Sequence, residues 1–223
     1  MNRSLAIIGA SALGRQIAHQ ASLADKPFEV VGFFDDFAAT GGDVLGSVDT
    51  VQRMYDGGAF NYLSVGVGYN AMEFRASCAD NFLGRIPLAR IVLPGTFIDP
   101  TAQIEEGVVV LAGTMIDQDV KIDTNCFLSL GCSISHETVI GAHTYCAPRV
   151  TICGRCRIGR SCFLGAGCVI KDDIEVVNGV TIGAGAVVVN NITEPGVYIG
   201  CPARMLIPKE SCALQNADLK EIK

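Results

Sequence analysis

From Thr96 to Asn191 the chain reads TFIDPT AQIEEG VVVLAG TMIDQD VKIDTN CFLSLG CSISHE TVIGAH TYCAPR VTICGR CRIGRS CFLGAG CVIKDD IEVVNG VTIGAG AVVVNN, sixteen sextets without an insertion. The third place holds Ile, Leu or Val in fifteen of the sixteen, Cys146 being the exception. The first place holds only Thr, Ala, Val, Cys and Ile, which are small or β-branched. Residues two apart in a strand point to one face, so places one and three both face inward. The other places are rich in Gly, Asn, Asp and Ser, which tolerate the left-handed backbone of a tight corner. A fixed short period is the mark of a solenoid. Three sextets close one triangular coil, and the stretch predicts a left-handed parallel β-helix of about five coils.

The period also accounts for half of the ten cysteines. Cys126, Cys132, Cys156, Cys162 and Cys168 fall on the first, inward place and read as small buried hydrophobes. Cys153 and Cys156 form a lone CxxC with no second pair, a weak zinc signal, so no metal is expected. Formal net charge is −6 with no basic run, which argues against nucleic acid or an anionic membrane as partner. No apolar run approaches the ~18 residues of a membrane span, and Leu5–Ile8 is too short for a secretory signal. The expectation is a soluble, cytoplasmic protein. After Val188 the chain leaves the register at Pro195, and a short helix is expected near the C-terminus.

Residues 1–90 have a different texture. Leu5–Ile8 reads as a strand, Gly9–Gly14 (GASALG) as a turn, Arg15–Ala24 as a helix and Glu29–Phe34 as a second strand ending at Asp35-Asp36. A third strand over Tyr62–Gly68 precedes Tyr69-Asn70 and a helix over 71–83. Glycines before a helix N-terminus expose backbone N–H groups to a diphosphate, and an acid after the second strand suits a ribose. The expected organisation is a Rossmann-like phosphate-binding domain over 1–90, the β-helix over 91–207 and a tail over 208–223. Ser11 stands where a dinucleotide fingerprint has its middle glycine, which disfavours ordinary NAD binding. The alternative is that the glycines only permit a tight turn.

Together GASALG (9–14), VGFFDD (31–36), VGVGYN (65–70), SHETVIG (135–141) and GCPAR (200–204) resemble the hexapeptide-repeat sugar acyltransferases. The nearest branch contains nucleotide-sugar 4-amino N-acetyltransferases and sialic-acid O-acetyltransferases. The resemblance implies a homotrimer with active sites between neighbouring β-helices, acetyl-CoA along that interface and a nucleotide sugar on the N-terminal domain. It puts the catalytic base on His136 with Glu137. It places a coenzyme contact at Tyr145, where the branch has a second histidine, and a carbonyl-polarising N–H at Gly154. The candidates for the sugar nucleotide are Gly9, Ser11, Gly14, Asp35, Asp36, Gly66 and Asn70. Ala12-Leu13 departs from the family's Gly-His.

The chemistry reaches His136 separately. An amine or hydroxyl attacking a thioester must lose a proton, histidine's unperturbed pKa is the nearest to neutrality, and a neighbouring carboxylate orients its ring. Of the three histidines, His19 falls in the first helix, and His143 reads as an accessory or an exposed residue. Inward-facing Cys146 does not suit a covalent acyl-cysteine route. The expectation is acetyl-CoA-dependent N-acetylation of a nucleotide-linked amino sugar for a surface glycan, with His136 as general base and no metal. The alternatives are O-acetylation of a sugar hydroxyl and a non-catalytic scaffold. A carbonic-anhydrase-like reading needs three zinc-binding histidines, and their spacing here does not supply them.

Overall fold

The computed structural model describes residues 3–206; the tail expected over 208–223, with its short helix, lies outside them. From Ile91 onward the chain forms two-residue strands six residues apart, as at Phe97–Ile98, Gln103–Ile104 and Val109–Val110. Each pairs in parallel with the strand eighteen residues on: Lys121 with Val139, Phe127 with Tyr145, Ser133 with Thr151. The result is a prism with sheets of five, six and eight strands.

The solenoid has about six turns rather than the five expected. The sextet 90–95 also belongs to it, with Ile91–Val92 pairing onto Val109–Val110. Arg90 hid this sextet by standing at the first place; in the end coil that place is open to solvent, and Arg90 is exposed. At the other end, Val197 and Tyr198 pair with Thr181 and Ile182 after a break at 192–196.

Inside the prism Ile116, Ile134, Ile152 and Ile170 stack with at most 1% exposure. First-place residues share a second device. The Thr138 hydroxyl donates to the Cys153 carbonyl at 3.0 Å, the Cys126 thiol to Gly141 at 3.2 Å and the Cys156 thiol to Lys171 at 3.1 Å. Each acceptor lies fifteen residues on, so Thr and Cys fill the place equally well and leave no buried donor unmet. Burial pushes the Cys126 and Cys168 thiols up to about 12, which makes them inert packing groups.

The sixth place turns the corner with positive φ. Glycine takes it at Gly113, Gly131 and Gly167, but Asp119, Asn125, Glu137, His143, Arg149, Arg155, Ser161 and Asp173 also do. Each non-glycine residue there costs roughly 1–2 kcal/mol. The ladder holds them, because their N–H groups reach the coil before, as Glu137 to Gln118 and Arg155 to His136.

The N-terminal region is a four-stranded sheet of β1 (Ser4–Ile8), β2 (Glu29–Phe34), β3 (Val44–Gly46) and β4 (Tyr62–Val65). The order is β3-β2-β1-β4, and every pair is parallel. Helices α1 (Ala12–Leu23), α2 (Val51–Asp56) and α3 (Met72–Phe82) flank it. Helix α1 buries Gly14, Ile17 and Ala21, one face at helical spacing. The region packs on one side of the prism, where Leu5, Ile7 and Ile17 share a core with Val109, Phe127 and Tyr145. Helix α3 is tied down by Arg75, which is wholly buried and donates to the carbonyls of Val65 (2.8 Å) and Asn125 (2.7 Å).

Candidate active site

His136 stands at the fifth place of its sextet, at the corner after the strand Ser133–Ile134. Residues eighteen apart stack, so this corner forms a column of Gln118, His136, Gly154 and Asp172. Glu137 takes the left-handed conformation at φ 59°. That turn brings its Oε2 to 3.1 Å from His136 Nδ1. An Nδ1–H donated to the carboxylate leaves Nε2 as the bare acceptor, the form a general base requires. Both side chains are partly exposed, at 36% and 56%.

Gly154 lies directly against the ring. A Cβ built on it would meet His136 Nε2 at 2.6 Å and Cε1 at 2.7 Å, so only glycine leaves the imidazole in place. The Gly154 N–H donates to Asp172 Oδ1 at 3.1 Å. Beside it Arg155 grips Asp173 through Nε–Oδ1 and Nη2–Oδ2 bonds of 2.7 and 2.8 Å. That bidentate contact is the main cause holding the Asp173 carboxyl below its ordinary value. The sequence reading missed Arg155, Asp172 and Asp173. Counting eighteen and thirty-six from His136 and Glu137 reaches all three.

Tyr145 is elsewhere. It lies on a different sheet of the prism, and its ring stacks on Phe127 at 4.6 Å and meets Tyr69 at 5.6 Å. It packs the solenoid against the N-terminal region, and the structure does not bring it to His136.

Of the two expectations for His143, the exposed residue is corrected, because its side chain is 1% exposed. Asn125 Nδ2 donates to its Nδ1 at 3.0 Å, which directs the Nε2–H to Asp80 Oδ1 at 3.2 Å on α3. Burial holds its pKa below the ordinary histidine value, with Asp80 opposing. Its left-handed φ of 63° places it at the corner facing α3.

The N-terminal candidates divide into two groups. Gly9, Ser11, Asp35 and Asp36 line a cleft of about 200 Å³ with Phe34, Phe37 and Phe74, at the carboxyl ends of the strands. Asp35 accepts N–H bonds from Ala10 (2.8 Å), Phe37 (2.8 Å) and Ala38 (3.0 Å). The Ala10 contact is the main cause that lowers its pKa. Asp36 accepts from Val48 N–H at 2.8 Å. Both carboxylates therefore order the rim of the cleft. Gly14 and Gly66 lie behind it as close-packing positions: a Cβ on Gly14 would fall 1.8 Å from the Gly9 carbonyl oxygen, and one on Gly66 2.5 Å from Gly14 Cα. Asn70 is exposed on the turn Tyr69–Ala71. A larger cavity of about 480 Å³, among Arg3, Lys26 and Arg90 at the opposite strand ends, holds none of these residues.

Among the described residues no group of three or more His, Cys, Asp or Glu side chains is arranged to hold a metal ion. No helix among them is long and apolar enough to cross a membrane.

Neither a protein-family model nor a curated protein sequence matches the chain. Solved structures do. The acetyltransferase domain of PglB from Neisseria gonorrhoeae FA1090 is 27% identical, with a TM-score of 0.83 over 92% of this chain and 100% of that one. The same domain, solved in complex with acetyl coenzyme A, gives 27% and 0.82 over the same shares. PerB from Caulobacter crescentus, in complex with CoA and GDP-perosamine, shares the fold at 24% identity and a TM-score of 0.83, over 91% of this chain and 97% of that one. These likenesses bear out the resemblance drawn from the sequence: the chain is similar over nearly all its length to hexapeptide-repeat sugar acetyltransferases, and it is an acyltransferase.

Proposed function

We propose that this protein transfers the acetyl group of acetyl-CoA to the amino group of a nucleotide-linked amino sugar, with His136 as general base. The observation that carries the reading is the corner itself. A histidine has one nitrogen turned to Glu137 and the other over a glycine that leaves room for it. The solved relatives, one holding acetyl coenzyme A and another CoA with GDP-perosamine, support the choice of donor and acceptor.

In this mechanism the amine lone pair attacks the thioester carbonyl and the nitrogen becomes acidic as the C–N bond forms. His136 Nε2 takes that proton, and Glu137 steadies the imidazolium. The Gly154 N–H receives the developing oxyanion, a contribution of roughly 2.7–4 kcal/mol in comparable sites. Collapse breaks the C–S bond, and the imidazolium returns its proton to the leaving sulfur, releasing CoA as its thiol.

The sugar nucleotide is assigned to the cleft lined by Gly9, Ser11, Asp35 and Asp36. The all-parallel order β3-β2-β1-β4, with α1 crossing between β1 and β2, supports a Rossmann-like reading of residues 1–90. The eighteen-residue register supports a left-handed β-helix over 91–207. We assign the active form to a homotrimer acting in the cytoplasm, with the coenzyme between neighbouring solenoids.

The test is thiol release from acetyl-CoA with UDP-, dTDP- and GDP-linked 4-amino sugars and free sialic acid, His136→Ala alongside. One amino sugar is expected to turn over, with kcat reduced roughly 10²–10⁴-fold in the variant. Turnover of sialic acid alone replaces the amine with a hydroxyl acceptor. An undiminished rate in His136→Ala removes the base from this corner.

A further inference from the structure

The N–H assigned to the thioester oxygen already has a partner. Gly154 N donates to Asp172 Oδ1 at 3.1 Å, from one coil further on in the same column. One corner away the same device recurs: Arg160 N donates to Asn178 Oδ1 at 2.8 Å, again eighteen residues on and again between fifth places. A side chain that caps the backbone of the coil before it is thus a recurrent part of this fold. The two caps differ in what they cover. Arg160 lies over no catalytic group, whereas Gly154 lies under the His136 ring. They differ also in charge, since Asn178 is a neutral amide and Asp172 is exposed and acidic.

We infer that Asp172 sets the affinity for the acyl donor by occupying, in the free protein, the place of the thioester carbonyl oxygen on Gly154 N–H. One N–H cannot serve a carboxylate and a developing oxyanion at close range, because the two negative charges repel. The donor must displace Asp172, so part of its binding free energy is used to release that bond. The exposed carboxylate is free to turn into solvent, which makes the exchange reversible. No bond is made or broken at Asp172, which acts only through the Gly154 amide. The inference rests on the reading in which that amide polarises the thioester.

The experiment compares Asp172→Ala, Asp172→Asn and Asn178→Ala with the unaltered protein. It uses calorimetric titration of acetyl-CoA, KM for donor and acceptor, and thermal unfolding. Asp172→Ala and Asn178→Ala each lose one cap and are expected to drop Tm alike, by roughly 2–4 °C. Only Asp172→Ala is expected to tighten acetyl-CoA binding, by roughly three- to tenfold, with the acceptor KM unchanged. Asp172→Asn keeps the bond without the charge and is expected to fall between. Unchanged or weaker acetyl-CoA binding in Asp172→Ala, beside normal binding by the unaltered protein, overturns the inference and leaves the acetyltransferase reading standing. Equal tightening in Asn178→Ala overturns it as well, since the effect then belongs to loosened corners. Failure of the unaltered protein to bind acetyl-CoA at all overturns both.

Discussion

Two glycines, one in each half of this molecule, do opposite jobs. In the solenoid Gly167 turns a corner at φ 66°, and a Cβ added there meets nothing within 4 Å; eight other corners make the same turn with larger residues. In the N-terminal region Gly14 has no positive φ to adopt, yet its missing Cβ is the only reason α1 can approach the Gly9 carbonyl. A solenoid spreads each requirement over many equivalent positions, and its stability is close to a sum of neighbouring coils. The α/β region concentrates its requirements in single contacts between backbones that cannot move apart.

That contrast predicts the largest difference first. Gly14→Ala forces a Cβ to 1.8 Å from a main-chain oxygen, so α1 must shift off β1. The expected cost exceeds about 3 kcal/mol, at the severe end for a point change. Gly167→Ala carries only the left-handed penalty of roughly 1–2 kcal/mol. Chemical denaturation of the two variants measures the gap, and similar midpoints would erase the distinction between the regions.

Next in size is the solenoid core. Ile134, Ile152 and Ile170 stand in one column on paired strands, all at 0–1% exposure. Truncation of each to Ala is expected to cost about 2–5 kcal/mol. Because their surroundings repeat, the three costs should be closely similar. A spread of several kcal/mol would show that the coils are not equivalent, and would make the solenoid as particular as the α/β region.

The same contrast explains what the sequence could disclose. An aliphatic residue every sixth place reports the prism directly, since burial selects it again in every coil. The sextet 90–95 escaped the count because the rule relaxes where no neighbour covers the first place, as at Arg90. At the site His136, Glu137 and Gly154 were legible, while Asp172 and Asp173 were not, because they reach the corner from the next coil. Tyr145 came from the resemblance, nine along the chain from His136, and not from the eighteen-residue stacking; position 145 falls on the sheet covered by the N-terminal region. In that region Gly14, Gly66 and Asp35 were visible as residues. The contacts of Gly66 and Asp35 join segments distant in the chain, which no local pattern encodes, whereas Gly14 meets Gly9 within its own turn.

The smallest effect lies on the seam between the halves. His143 is buried between Asn125 and Asp80, with Arg160 on Asp80 and Arg75 on the Asn125 carbonyl. Burial, the leading cause, depresses its pKa in the folded state, and Asp80 only partly offsets this. The unfolded chain therefore takes up the proton more readily than the folded one. The linked stabilisation is complete above the unfolded value of about 6.5 and is lost as pH falls through it toward the folded value. Between pH 7.5 and 5.5 the unaltered protein is expected to lose roughly 1–3 °C of Tm more than His143→Asn, a contribution of about 1 kcal/mol or less. The difference between the two slopes is the readout, because Asp35 and the other carboxylates act equally in both proteins. Parallel slopes would mean that protonated His143 is accommodated by Asp80 at the seam without loss. The joint between the two halves would then behave like an exposed solenoid corner, and not like the close-packed interior of the α/β region.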